Sequence, residues 1–233
     1  MSERVTVAIE DGIARIRIDD GKVNALSASL IGELDAALTR AEAAGAVVVL
    51  SGRDGMFSAG FDLGTFRRGY DATMEMLRAG SAVILRLLAF PQPVLTVAAG
   101  HVYPAGAFLM LAADSRLGAA GPWRIGLNEV AIGLTVPSFV VELARHRLSP
   151  PGFARIQSAA MFGPEDALRL GYLDRVVEPA ELAAEADAEA RRLRALDLSA
   201  FTGTKARINE RAVAAIRAAA EAELGAGAVA TAG

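Results

Sequence analysis

PQPVLTVAAGHVYPAGAFLMLAADSR, residues 91–116, decides the reading of the fold. Two prolines end what precedes, and the apolar run after them has the length and composition of a buried strand. PAGAFLMLAAD (104–114) then reads as a helix with proline in its first turn, and SRLGAA (115–120) as a further short strand. The stretch is therefore strand, small-residue turn, helix, strand.

Working outward toward the N-terminus, VTVAIEDGIARIRIDD (5–20) alternates as two strands joined at Glu10-Asp11-Gly12, where Asp-Gly supports a tight hairpin turn. Leu30, Ile31, Leu34 and Leu38 have helical spacing, with Ser27 or Ser29 as the cap. AVVVLSG (46–52) is a buried strand and RDGMFSAGFDLG (53–64) a glycine-containing loop. A helix follows from about Asp71 to Phe90, with Met74, Leu77, Ile84, Leu87 and Leu88 turned inward. Alternating strands and helices put the chain in the α/β class.

In the other direction, WRIGL (123–127) is a short strand, and from Pro137 the pattern becomes helical. VPSFVVELARHRL (136–148) and SPPGFARIQSAAM (149–161) read as helices, the second capped by Ser149 with Pro150 in its first turn. Another runs from Pro164 to a stop at Gly171, a long one opens at Pro179, and the last spans about Ser199 to Leu224. The tail GAGAVATAG (225–233) should fray. Residues 1–195 are expected to form the core, and 196–233 a helical region suited to subunit packing.

Composition narrows the chemistry. The 233 residues are 53% hydrophobic, enough for a substantial core. Lys and Arg number 24 against 27 Asp and Glu, a net charge of −3, and the basic residues are scattered, so nucleic acid is not an expected partner. With no cysteine there are no disulfides, thiolate nucleophiles or cysteine-held metals. The start MSERVTVAIEDG does not read as a signal peptide, and no apolar run approaches the ~20 residues of a membrane span. A cytoplasmic protein is expected, and the abundance of Ala, Gly and Arg suggests a bacterial one.

Motifs for metal, nucleoside triphosphate and nicotinamide binding are missing, as is a nucleophile elbow to serve His101 in a triad. His146, beside arginines on an amphipathic helix, reads as a surface or capping residue. Two loops stand out, FSAGFDLG (57–64) and GHVYPAGAF (100–108), each leaving a strand for a helix through small residues. One backbone N–H from each, meeting on a single oxygen, would stabilise negative charge developing there. The third feature is Glu129 in RIGLNEVAIG (124–133), a carboxylate among apolar neighbours, which is either turned to solvent or kept for chemistry.

Five segments in this order, NAL (24–26), FSAGFDL (57–63), AAGHVYPAGAFLMLAADSR (98–116), GLNEVAIGL (126–134) and EDALRLGYLDRVV (165–177), resemble the crotonase superfamily of enoyl-CoA hydratases and isomerases. The likeness implies a ββα spiral core with a C-terminal helical region, and trimers or paired trimers. It implies that the N–H groups of Phe61 and Ala105 form an oxyanion hole. Ala25, Ala59, Gly60, Asp62, Leu63, Gly106, Phe108 and Asn128 are implied substrate contacts. No permanently bound cofactor is implied, coenzyme A entering as part of the thioester substrate.

Two departures matter. Pro104-Ala105-Gly106 replaces a triple-glycine turn, which is tolerable because the donor needed is that of Ala105. Family hydratases carry two glutamates, and Phe108 stands at the first position while Glu129 fills the second. GLNEVAIG is similar to the segment bearing the single glutamate of the Δ3,Δ2-enoyl-CoA isomerases. The expectation is therefore an isomerase with Glu129 as acid and base, its proton affinity raised by apolar neighbours. The alternatives are a hydratase, with Glu129 alone or with an acid such as Asp62 or Glu75, and a non-catalytic acyl-CoA binder. Phe57, Phe61, Phe108, Met110 and Trp123 are candidate apolar walls, of which at least half should be core.

Overall fold

The computed structural model describes residues 3–225, so the expectation for the tail falls outside them from residue 226 onward. The chain opens with the hairpin β1 (Val5–Glu10) and β2 (Ile13–Ile18), turning at Asp11 and Gly12, both at positive φ. Next is α1 (Ala28–Ala43), where the Leu30 N–H donates to Ser27 Oγ, which settles the cap on Ser27. Then come β3 (Val47–Ser51), β4 (Gly55–Ser58), the short α2 (Leu63–Phe66), α3 (Tyr70–Ala89), β5 (Val94–Ala98), β6 (Gly100–Val102) and α4 (Pro104–Ala112). The remaining elements are β7 (Ser115–Ala119), β8 (Ile125–Gly126), α5 (Ser138–Arg147), α6 (Pro150–Ala154), β9 (Met161–Phe162), α7 (Pro164–Leu170), β10 (Arg175–Val177), α8 (Leu182–Arg194) and α9 (Leu198–Leu224).

The larger sheet has the order β1-β2-β3-β5-β7-β10, antiparallel in the hairpin and parallel elsewhere. Strand β3 is apolar throughout because both its faces are covered. Val48 and Leu50 face the main core with α1 and α3, whereas Val47 and Val49 lie under Leu182, Ala186, Ala190 and Leu193 of α8. No helix among the described residues is long and apolar enough to cross a membrane.

The smaller sheet, β4-β6-β8-β9, corrects the sequence reading, which left residues 53–64 and 100–103 as loops. Strands of two to four residues are too short to show alternation, and only their pairing defines them. A second correction concerns residues 149–161, read as one helix. Helix α6 stops at Ala154, residues 156–158 tighten into a 3-10 turn, and Ala159 is left-handed at φ 53, which lets β9 pair with β8. Pro179 lies in a turn that precedes α8 rather than opening it.

Helix α9 lies along α3 and α5 of its own chain. Its buried polar residues are individually matched. Asn209 Nδ2 donates to Leu88 O (2.9 Å) while its Oδ1 accepts from His146 Nε2 (2.9 Å), so the half-buried His146 ties α5 to α9. Lys205, 5% exposed, pairs with Asp114 at 2.7 Å and is committed to the interior.

Candidate active site

Strands β4, β6 and β8 are adjacent and parallel, so the chain leaves all three at one edge of the small sheet. Residues that follow those strands are thereby brought together: Gly60 and Phe61 after β4, Pro104 and Ala105 after β6, and Asn128 and Glu129 after β8. Tyr103 N–H donates to Ser58 O (2.9 Å), tying the first two exits to each other.

The loop after β4 is clamped by residues 24–26. Buried Asn24 donates from Nδ2 to the carbonyls of Ile18 (2.8 Å) and Phe57 (3.1 Å), and Ser58 Oγ donates to Asn24 O (2.7 Å). Leu26 takes up both neighbours of Phe61: its N–H donates to Gly60 O (2.8 Å) and its carbonyl accepts from Asp62 N–H (3.1 Å). In that parallel bridge the N–H of Phe61 must point the opposite way, away from Leu26. Gly60 sits at φ +95, and a Cβ placed there would lie 3.6 Å from the Ala105 nitrogen, so the two loops meet at this glycine. Ala105 stands in the first turn of α4, where no preceding carbonyl reaches its N–H. Among the described residues, neither Phe61 nor Ala105 donates its N–H to a backbone carbonyl.

These exits border a cavity of about 350 Å³. Its wall includes Ala59, Gly60, Phe61, Pro104, Phe108, Asn128 and Glu129. It is also walled by Leu63, Phe66, Leu77, Leu134, Pro137 and Glu223, among others. Of the residues singled out in the sequence, Ala25, Asp62, Ala105 and Gly106 do not line it. Asp62 caps α2, its carboxylate accepting from Thr65 Oγ1 (2.8 Å) and Gly64 N–H (2.9 Å), and the Thr65 bond foremost holds it below the usual carboxylate range. Gly106 is pressed against Ser58, whose Cβ a side chain there would meet at 2.8 Å. Glu75 is exposed on α3 and is likewise absent from the wall.

Glu129 begins a 3-10 turn, Glu129–Ile132, that ends at left-handed Gly133. The side chain points inward and is 6% exposed, while the neighbouring Val130 and Ile132 face out. Neither carboxylate oxygen has a hydrogen-bond partner among the described residues. Burial therefore raises its pKa to about 7, outweighing the opposing effect of its own N–H. Tyr172, buried nearby, has its phenol pKa raised, first by burial and then by the Glu129 charge.

The aromatic candidates divide as their packing dictates. Phe61 and Phe108 meet edge to face at 5.8 Å in the cavity wall. Phe57 and Met110 are core, and Trp123 stands edge-on to His101 at 5.5 Å. His101 accepts the Arg124 N–H at Nδ1 (3.0 Å), a bond that joins β6 to the segment before β8. Sequence reasoning missed Tyr103, Leu77, Thr135 and Glu223 as wall residues. Leu77 carries the same helical signal as a core residue, and Glu223 arrives from the far end of the chain with no local signal.

The model of the enoyl-CoA hydratase/isomerase family matches residues 8–226. The chain belongs to that family. A family protein from Pseudomonas syringae is 38% identical, superposes with a TM-score of 0.93, and matches over 95% of this chain and 96% of its own. A probable enoyl-CoA hydratase of Mycobacterium avium is 31% identical over 204 residues, 82% of this chain and 78% of that protein. The human mitochondrial Δ3,Δ2-enoyl-CoA isomerase is 25% identical with a TM-score of 0.86, covering 94% of this chain and 91% of its own. This member of the family is thus an enzyme, and the resemblance stated from its motifs holds over nearly its whole length.

In this family member Phe61 owes its place to a small residue on α3. A Cβ on Gly80 would come within 2.6 Å of Phe61 Cζ. Replacing a helical glycine by alanine ordinarily gains about 1 kcal/mol. Gly80→Ala is expected instead to push the ring into the cavity and weaken acyl-CoA binding several-fold without raising Tm. Calorimetric titration and a melting curve check both halves.

Proposed function

We propose that this enzyme moves the double bond of a 3-enoyl-CoA to the 2,3 position, with Glu129 as the sole acid and base. The observation that carries this reading is the carboxylate of Glu129, buried, without a hydrogen-bond partner among the described residues, and in the wall of the cavity that Gly60, Phe61 and Pro104 also line. Phe108, packed on Phe61, fills the place where the family resemblance puts a hydratase's first glutamate.

Glu129 takes a proton from C2 of the thioester, and the electron pair left behind spreads over the dienolate. Its oxygen is held by the N–H groups of Phe61 and Ala105. The same carboxyl returns the proton at C4, which moves the double bond and leaves the enzyme unchanged. Having no hydrogen bond to break, the side chain is free to reach both carbons. A pKa of about 7 suits a group that must accept and release one proton at neutral pH. The thioester's coenzyme A portion is expected along Ala59 to Leu63, and no resident cofactor is needed.

Initial rates with 3-enoyl-CoA and 2-enoyl-CoA on the purified protein test this. Isomerisation should exceed hydration, and the reverse would make the enzyme a hydratase with Glu129 as its acid–base group. Because the ionised carboxylate is the base, kcat/KM for isomerisation should rise with pH to a plateau through an apparent pKa near 7. A profile flat from pH 5 to pH 9 would assign the proton transfer elsewhere.

A further inference from the structure

The cavity has a second carboxylate that the reaction does not use. Glu223, exposed on the last turn of α9, lies in its wall with Leu77, Thr135 and Pro137. One bond holds the carboxylate, and a second pair holds the main chain of the residue after it. Ser138 N–H, at the start of α5, donates to Oε2 at 2.6 Å, and Arg78 of α3 donates from Nε (3.0 Å) and Nη2 (2.6 Å) to the carbonyl of Leu224. Among the described residues no donor is bonded to Oε1.

Much of the rest of the cavity wall is apolar, with Phe66, Leu77 and Leu134 among its residues. An acyl chain whose thioester oxygen sits at the amide pair extends along that wall toward Glu223. A methyl end laid against the carboxylate would strip it of water with nothing in return. A terminal carboxylate would meet a like charge, which is repelled. A hydroxyl would donate to Oε1 in place of the water it displaces.

We propose that Glu223 reads the distal end of the acyl chain, favouring tails that carry a hydrogen-bond donor and rejecting tails that end in a carboxylate. The inference rests on the acyl-CoA reading of the cavity but not on the isomerase chemistry. The test is calorimetric titration of the whole protein with saturated acyl-CoAs of matched length ending in methyl, hydroxyl or carboxylate, over several chain lengths. The wild type should bind the hydroxyl form at least about tenfold more tightly than the carboxylate form once the chain is long enough to reach. In Glu223→Gln, whose amide oxygen can still accept from Ser138 and whose amino group then faces the cavity, that ratio should fall by about tenfold or more.

Equal affinities in the wild type at every length, or a ratio unchanged in a folded Glu223→Gln, would overturn the proposal. Should the variant not fold, the wild-type comparison decides alone. Discrimination without turnover of 3-enoyl-CoA would remove the isomerase reading and leave this one. Turnover without discrimination would do the opposite.

Discussion

Glu129→Gln should reduce isomerase turnover by about 10²- to 10⁴-fold, the usual contribution of a positioned acid–base group, while acyl-CoA binding is retained. The amide fits the same space and cannot take a proton. A second signature follows from burial. The Glu129 pKa stands at about 7 against an ordinary 4.5, so the folded protein holds a proton that the unfolded chain releases between those values. Stability from this group is fully present below pH 4.5 and is lost as pH rises through 7. The variant lacks that titration, so its stability relative to the wild type should improve by roughly 3 kcal/mol between pH 4.5 and pH 8. The buried amide costs something at every pH, so the slope is the quantity to read. Melting curves across that range, together with the rates, check both signatures. A rate loss with no change of slope would mean that Glu129 is not buried as described, and unchanged turnover would remove it from the mechanism.

Ala105→Pro is the second large effect, because it deletes a main-chain donor that no ordinary side-chain change touches. Ala105 is the second residue of α4, where an N–H is not needed by the helix, and α6 of this chain already opens with Pro150 and Pro151 in its first two positions. The helix should therefore survive while the oxyanion loses one of its two hydrogen bonds. A fall in kcat of about 10²- to 10³-fold is expected, the range seen when a single oxyanion donor is removed. Circular dichroism and Tm establish that the variant folds, and steady-state rates give the loss. A folded variant with wild-type kcat would show that the Ala105 amide does not face the reacting oxygen.

Much of the molecule was legible in advance. The hairpin at Asp11-Gly12, the buried run of β3, the Ser27 and Ser149 caps and the stop at Gly171 are local events, governed by turn conformation, apolar periodicity and capping within a few residues. Glu129 stood out because one carboxylate among apolar residues must be explained. The small sheet as a whole was not legible: residues 123–127, which include β8, were read as a short strand, but β4, β6 and β9 are too short to carry a periodicity of their own. Nor was the bond between His146 and Asn209, which lie 63 positions apart on two helices that must first be packed together.

By itself the order of residues determined the α/β class, the Ser27 and Ser149 caps and the stop at Gly171, the two small-residue turns and the presence of an isolated acid, because each depends on neighbours along the chain. Tertiary structure alone decided that three strand ends open on one edge, that the Phe61 amide turns away from Leu26, and that Glu223 returns from the far end of the chain to the same cavity. Those are relations between distant segments, set by strand pairing and helix packing, and no local preference encodes them.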